Sequence, residues 1–142
     1  PDVLTSNAGW NTIKNKVFLK EIIHQFQSEG IRTSIFIETD LNMILAAKEI
    51  NTDRIELYTE MYANDFCSDP ERAIQPFIKA ANLAYDINLK INAGHDLNLK
   101  NLSFFSSKIK DLQEVSIGHA LICDALYYGL ENTIQMYKRN LK

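Results

Sequence analysis

The feature that most constrains the fold is a regular alternation of short apolar segments with longer amphipathic ones. Four short segments rich in β-branched residues predict strands, at residues 31–37, 54–58, 89–92 and 115–117. Apolar residues at helical spacing predict one helix before the first strand and one after each strand. Because strands that alternate with helices form parallel sheets with right-handed crossovers, the sequence predicts an α/β protein built from parallel βα units.

Turn and capping residues mark the ends of the predicted helices. Gly30 follows the first helix as a C-cap, Thr39 or Asp40 can cap the second, and Asp69 followed by Pro70 begins the next. Residues 1–12 and 59–68 are predicted to be loops, and the closing helical segment is interrupted at Gly129.

This pattern fits two architectures, a doubly wound sheet and part of a (β/α)₈ barrel. The chain has 142 residues, whereas a whole barrel takes about 250, so four units would make half of one. Since the sequence shows no interdomain linker, residues 1–142 are predicted to be a single domain segment.

In either architecture, ligands bind at the carboxyl ends of the strands. Two of the three histidines lie there, in the dipeptides Gly94-His95 and Gly118-His119, after the last two predicted strands. One such dipeptide is ordinary turn chemistry, but two in consecutive units indicate a site. Free backbone N–H groups at a helix start favour an anion, so the residues alone suggest a phosphorylated small molecule.

Glu56 alternates with two apolar neighbours on its strand, so its side chain points to the opposite face of the sheet from theirs. In a barrel interior, a carboxylate is costly unless it is paired or functional. On an open sheet it would simply be solvated, and the pattern leaves both interpretations open. Glu38 is interpreted as a helix-start acid and His24 as a surface residue.

Composition excludes several classes of function. A net charge of -3 and the lack of basic runs argue against nucleic-acid binding, and no apolar run approaches the length of a membrane span. Cys67 and Cys123 match neither a metal nor a redox spacing. The first residues lack a basic and apolar leader, so we expect a cytoplasmic protein.

Several segments, in this order and spacing, together resemble the pyridoxine 5'-phosphate synthase family. They are residues 30–37, residues 54–59 with Tyr62 and Ala63, residues 92–95 and residues 117–120. The closing Gly129-Leu130 with Met136, Lys138 and Arg139 is similar to the C-terminal helix of the family. The resemblance covers essentially the whole chain, but only the C-terminal part of the family's (β/α)₈ TIM barrel, so the N-terminal half would be absent.

The resemblance implies a homo-octameric enzyme of vitamin B6 synthesis that needs no metal and no organic cofactor. It implies condensation of 1-deoxy-D-xylulose 5-phosphate with 3-amino-2-oxopropyl phosphate, with release of phosphate and water. By position, His95 would donate a proton and Glu56 would stabilise charge in the transition state. Asp96, Gly118 and His119 would hold the phosphate of the amino-ketone, and Thr5 would contact the deoxyxylulose phosphate.

Three segments depart from the family pattern. Asp96 stands where Gly usually follows the histidine, Tyr58-Thr59-Glu60 replaces His-Thr-Gly, and residues 5–9 replace Thr-Thr-Glu-Gly-Gly. The alternatives are therefore a diverged or truncated non-catalytic half-barrel that retains only a phosphate-binding rim, and another phosphate-sugar barrel or a flavodoxin-like sheet.

Overall fold

Helices and parallel strands alternate along the chain. The computed structural model describes residues 6–141. Within that range the elements are α1 (Lys16–Ser28), β1 (Ser34–Ile37), α2 (Leu41–Glu49), β2 (Arg54–Tyr58), α3 (Glu60–Phe66), α4 (Pro70–Asp86), β3 (Lys90–Gly94), α5 (Leu102–Lys108), β4 (Leu112–Ser116), α6 (His119–Tyr128) and α7 (Leu130–Arg139). This order confirms a leading helix followed by four βα units.

The four strands form one parallel sheet in the order β1-β2-β3-β4. Ile35 is paired with Ile55, and Ile55 in turn with Ile91, so the register carries straight across the first three strands. A doubly wound sheet reverses its strand order at a switch point, whereas a barrel adds strands in chain order. The strand order therefore favours the partial barrel, and the predicted α/β class with parallel βα units is confirmed.

One face of the sheet is covered by helices and forms the core. Its strand residues are buried: Ile35, Ile37, Ile55, Leu57, Ile91 and Ala93. They pack in one cluster with helical residues such as Ile44, Ile74 and Phe77. Burying each of the large side chains contributes roughly 1.5–3 kcal/mol, which makes this face the main source of stability. Within residues 6–141, no helix has both the length and the hydrophobicity that a membrane span requires.

The opposite face carries polar side chains that pair with one another. Asn92 Oδ1 accepts from Arg54 Nη1 at 3.2 Å, and Asn92 Nδ2 donates to Glu114 Oε2 at 3.2 Å. Arg32 and Arg54 both form ion pairs with Glu114, at 2.9 and 3.3 Å. In a barrel this face is the interior. Glu56 lies on this face and is partly buried, which fits an inward-facing carboxylate better than a fully solvated one.

The predicted loop at residues 59–68 is wrong, because helix α3 occupies most of it. Tyr62 on α3 is fully buried, and its ring lies 5.0 Å from Phe105 and 5.9 Å from Phe77. Its hydroxyl donates to the carbonyl oxygen of Asn101 at 2.6 Å. Contacts with α4 and α5 thus stabilise a short helix that local spacing does not reveal.

Three of the four predicted strands have shifted boundaries, and β3 spans Lys90–Gly94 rather than residues 89–92. β1 begins at Ser34 rather than at Ile31, because Thr33 is held by the side chain of Asp53 and Ile31 is half exposed. β4 begins at Leu112, three residues before the predicted start, after Asp111 turns the chain with φ 58°.

The predicted helix ends are confirmed. Asp40 caps α2 by accepting from Met43 N at 2.9 Å, and Asp69 caps α4 by accepting from Arg72 N at 3.0 Å. Gly30 follows α1 with φ 73°, and Gly129 separates α6 from α7.

Candidate active site

A cleft of about 960 Å³ lies at the carboxyl ends of the strands. It brings together five of the six site residues predicted from the sequence: Glu56, His95, Asp96, Gly118 and His119. The sixth, Thr5, lies outside the described residues. Because the five residues come from three separate βα units, the fold assembles them at one place.

The segment before α1 closes one side of this cleft. Trp10 N donates to the carbonyl oxygen of Phe36 at 2.7 Å, and Gly9 N donates to Glu38 Oε1 at 3.2 Å. A Cβ at Gly9 would lie 2.4 Å from Ile37 Cα, so only glycine permits this approach. Ser6, Ala8 and Trp10 thereby line the cleft. Glu38, interpreted as a helix-start acid, instead anchors this segment.

Glu56 projects from the middle of β2 into the space beside Gly94. A Cβ at Gly94 would lie 2.2 Å from Glu56 Oε1 and 2.9 Å from Ser116 Cβ, so the missing side chain makes room for the carboxyl group. Burial raises the pKa of Glu56 above its usual 4.5; a hydrogen bond from Ser116 opposes this rise, and the nearby charge of Glu114 adds to it. Such a carboxyl group is suited to exchange or stabilise charge in a reaction.

His95 sits on a strained bend directly after β3. Its φ is 86° and that of Asp96 is 56°, both in the left-handed region that non-glycine residues rarely adopt. Each such residue costs on the order of 1 kcal/mol or more and persists where the surroundings hold it. Here the Thr59 hydroxyl lies against the carbonyl oxygens of Gly94 and His95, and Asn101 Nδ2 donates to the carbonyl of Asp96 at 3.2 Å.

The imidazole of His95 is held on two sides. Its ring meets Tyr58 edge-on with 4.7 Å between centroids, and Phe36 lies behind at 6.4 Å. Its Nδ1 lies 2.8 Å from Asp96 Oδ2. A hydrogen bond to Glu60, together with burial and neighbouring carboxylates, raises the pKa of Tyr58 to about 12, so this phenol stays neutral at physiological pH.

Gly118 and His119 form the start of α6 at the edge of the cleft. Gly118 is the N-cap residue and has no side chain to cap the first turn. A Cβ built on it would meet nothing within 4 Å, so the space beside it is open. The first amides of a helix have no intrahelical partner, and together with the helix dipole they favour an anionic group.

Sequence reasoning missed several residues that line the cleft: Trp10, Phe36, Asn64, Asn98 and Ser116. Asn64 was missed because it lies on the unpredicted α3. Ser116 lies on the predicted fourth strand but was not singled out, because its position beside Gly94 depends on the pairing of β4 with β3. With the observed register, which pairs Ser116 with Gly94, it falls on the interior face.

Comparison with known proteins identifies the family. The family model described as pyridoxal phosphate biosynthesis protein PdxJ matches residues 1–142. The chain belongs to the PdxJ family. Proteins named pyridoxine 5'-phosphate synthase are 58% identical over 138 residues in Parabacteroides distasonis, 55% over 139 in Flavobacterium johnsoniae and 56% over 141 in Porphyromonas gingivalis.

These matches cover 97–99% of this chain but only 58–59% of each relative. The chain therefore spans somewhat more than half the length of the PdxJ proteins it matches, in keeping with four strands of an eight-stranded barrel. The resemblance drawn from the sequence is confirmed. The roles of the individual site residues stay predictions.

Two carboxyl groups lie at or beside the cleft. Asp96 and Glu60 add carboxylates to the rim, but both are engaged: Asp96 with His95, and Glu60 with the hydroxyl of Tyr58. In the described part of the chain, no three His, Cys, Asp or Glu side chains are grouped so that they could hold a metal ion.

Proposed function

We propose that the full-length protein containing this chain is a pyridoxine 5'-phosphate synthase. It would condense 1-deoxy-D-xylulose 5-phosphate with 3-amino-2-oxopropyl phosphate to pyridoxine 5'-phosphate, phosphate and water. The observation that carries the proposal is the convergence of Glu56, His95 and the start of α6 on one cleft in a PdxJ-family chain.

In this proposal His95 donates a proton and Glu56 stabilises charge that develops in the transition state. An imidazole changes its charge near neutral pH, which suits a group that transfers protons in each cycle. A carboxyl group that is partly removed from water interacts strongly with a developing positive charge, because the local dielectric is low. Both side chains line the same cleft, as a shared substrate requires.

Phosphate binding is proposed for Gly118, His119 and the backbone around Asp96. Support comes from the uncapped N-terminus of α6, whose open flank leaves room for a phosphate beside Gly118. Thr5 is proposed to contact the deoxyxylulose phosphate, on the strength of the family resemblance alone.

Product formation by the full-length protein tests the proposed reaction. We expect pyridoxine 5'-phosphate from the two substrates, measured by chromatography with mass detection. His95→Ala should lower kcat by roughly 10²–10⁴-fold, the usual contribution of a general acid.

His24 on α1 provides a matched control, because it is an exposed histidine outside the cleft. His24→Ala should leave the rate unchanged. Absence of product from the wild-type protein would instead favour the non-catalytic half-barrel, and a normal rate in His95→Ala would remove His95 from its role.

We also propose that residues 1–142 form one domain segment, the C-terminal half of a (β/α)₈ barrel, in a homo-octamer. Exposed apolar side chains support the proposal of contacts with other parts of the barrel or with other subunits. Among the described residues, Val17, Leu126 and Tyr127 are 81–85% exposed. A cryo-EM reconstruction of the full-length protein should show eight subunits, with β1 and β4 each paired to a further strand. A different subunit number or an open sheet would contradict these two proposals.

A cytoplasmic location is proposed from the biosynthetic role of the family. Cys67 and Cys123 are both exposed free thiols, a state that reducing compartments maintain. Cell fractionation with an antibody to the protein checks this proposal, and recovery outside the cytoplasm would reject it.

A further inference from the structure

The side chains of two successive residues, His95 and Asp96, meet at the rim of the cleft. In an extended chain, neighbouring side chains point to opposite sides of the backbone. Here both residues adopt left-handed backbone angles, with φ 86° and 56°, and the resulting bend brings Nδ1 of His95 to 2.8 Å from Oδ2 of Asp96. The strained backbone therefore creates a specific side-chain contact.

We propose that Asp96 is a positioning residue for His95, which deepens and rests on the proposed function. An ionised carboxylate can only accept hydrogen bonds, so it holds the facing Nδ1 in its protonated form. The neutral ring is then fixed as the tautomer whose free nitrogen is Nε2. Nε2 is thereby the atom that takes up a proton, which gives the imidazolium, and then donates that proton to the substrate.

The surroundings of His95 also support the pairing of its Nδ1 with Asp96. The rings of His95 and Tyr58 pack perpendicular to each other, which limits the rotation of the imidazole. The other acids near the cleft are engaged elsewhere. Glu60 binds the hydroxyl of Tyr58, Glu38 accepts from Gly9 N, and Glu56 is hydrogen-bonded to Ser116. Of these acids, Asp96 is the one in contact with the imidazole.

The backbone explains why an acid is tolerated at this position. Asp and Asn are, after glycine, the residues that most readily adopt left-handed angles. Asp96 can therefore follow the backbone path that a glycine would take, and its carbonyl still accepts from Asn101 at 3.2 Å. Its carboxylate points to His95, which partly balances the negative charge that would otherwise face a bound phosphate.

The test is the tautomer of His95 in the full-length protein. Solid-state NMR of protein labelled with ¹⁵N-histidine distinguishes protonated from bare ring nitrogens, and His95→Gln assigns the signal. We expect protonated Nδ1 in the wild type. Asp96→Gly should shift His95 towards the Nε2-protonated tautomer, whereas Asp96→Asn should retain much of the original form, because its amide oxygen can accept.

Asp86→Asn is the matched control, since Asp86 is an exposed residue at the C-terminal end of α4, outside the cleft. It should leave the His95 signal unchanged. A wild-type signal with protonated Nε2 and bare Nδ1, or a tautomer unaltered in Asp96→Gly, overturns the proposal.

Kinetics separate positioning from substrate binding. Asp96→Gly should lower kcat roughly ten- to hundredfold, as misorientation of a catalytic group does, with little change in either KM. A change in KM with kcat preserved would mean that Asp96 acts on the substrate, and would overturn the proposal. If the tautomer follows Asp96 but no form of the protein makes product, the positioning role stands and the proposed function fails.

Discussion

Two carboxyl groups near β2 have pKa shifts of opposite direction: Asp53 lies just before the strand, and Glu56 lies within it and lines the cleft at the carboxyl ends. Before β2, Asp53 Oδ2 accepts from the backbone N–H and the hydroxyl of Thr33, at 2.7 and 2.8 Å, and from Gln27 Nε2 at 3.2 Å. These hydrogen bonds lower the pKa of Asp53 below its usual 3.8, and the bond from the Thr33 N–H has the largest effect. Within β2, burial instead raises the pKa of Glu56.

The two ends of the strands also differ in their backbone: one is held by a hydrogen-bond network and the other is strained. At the N-terminal end, Asp53 and the hydroxyls of Thr33 and Thr52 form a network that joins the starts of β1 and β2. At the C-terminal end, His95 and Asp96 are held at left-handed angles. A carboxylate whose oxygens are hydrogen-bonded stabilises the fold. A partly buried carboxyl group beside a strained bend lowers the stability of the fold instead, and such strain is concentrated at functional sites. The N-terminal end therefore stabilises the sheet and the C-terminal end carries the site.

The largest expected effect comes from Gly94→Ala, which alters the C-terminal end. The new Cβ would lie 2.2 Å from Glu56 Oε1, so the carboxyl group must move. We expect a loss of about 1–3 kcal/mol in unfolding free energy from overpacking, and a roughly hundredfold fall in product formation. Denaturant unfolding and steady-state kinetics of the full-length protein measure the two effects.

A double-mutant cycle identifies the cause of that loss. Glu56→Ala in the Gly94→Ala background removes the group that the Cβ would meet, and should restore part of the stability but none of the activity. Strictly additive stabilities would show that Gly94 does not act through Glu56.

The intermediate effect comes from Asp53→Asn, which alters the N-terminal end. Replacing the carboxylate weakens the hydrogen bonds from Thr33 and Gln27, and because Asp53 is exposed to solvent we expect a cost of only about 0.5–1 kcal/mol of stability, with kcat unchanged. Because the folded pKa of Asp53 is lowered, its contribution is complete above pH 3.8 and disappears as pH falls through the folded pKa. Thermal unfolding from pH 7 to pH 2 checks this, and a deficit that persists at the lowest pH would contradict it.

The smallest effect on stability is expected from Glu56→Gln, and it has the opposite sign. Because the folded pKa of Glu56 is raised, the unfolding free energy of the wild type falls as pH rises above 4.5 towards and beyond the folded pKa. Gln avoids that penalty, so the variant should have a slightly higher Tm at neutral pH and no advantage below pH 4.5. A lower Tm at pH 7 would show that Glu56 is a stabilising carboxylate like Asp53.

Much of the fold could be predicted because its signals are local. The bounds of β2, the Asp69-Pro70 helix start and the break at Gly129 all follow from neighbouring residues. Helix α3 could not, since its stability depends on Tyr62 packing against Phe77 and Phe105, which are distant in sequence. The start of β4 likewise depends on its pairing with β3.

For the candidate site, the sequence by itself determined the chemistry available: two Gly-His turns, an acid alternating with apolar residues, and membership of the PdxJ family. The tertiary structure decided the arrangement. It set Glu56 into the space that Gly94 leaves beside Ser116, and it bent the chain so that Asp96 meets His95. Residue identity sets which protons and charges a group can carry, but the contacts across strands and the backbone angles set which groups meet and how far water is excluded from them.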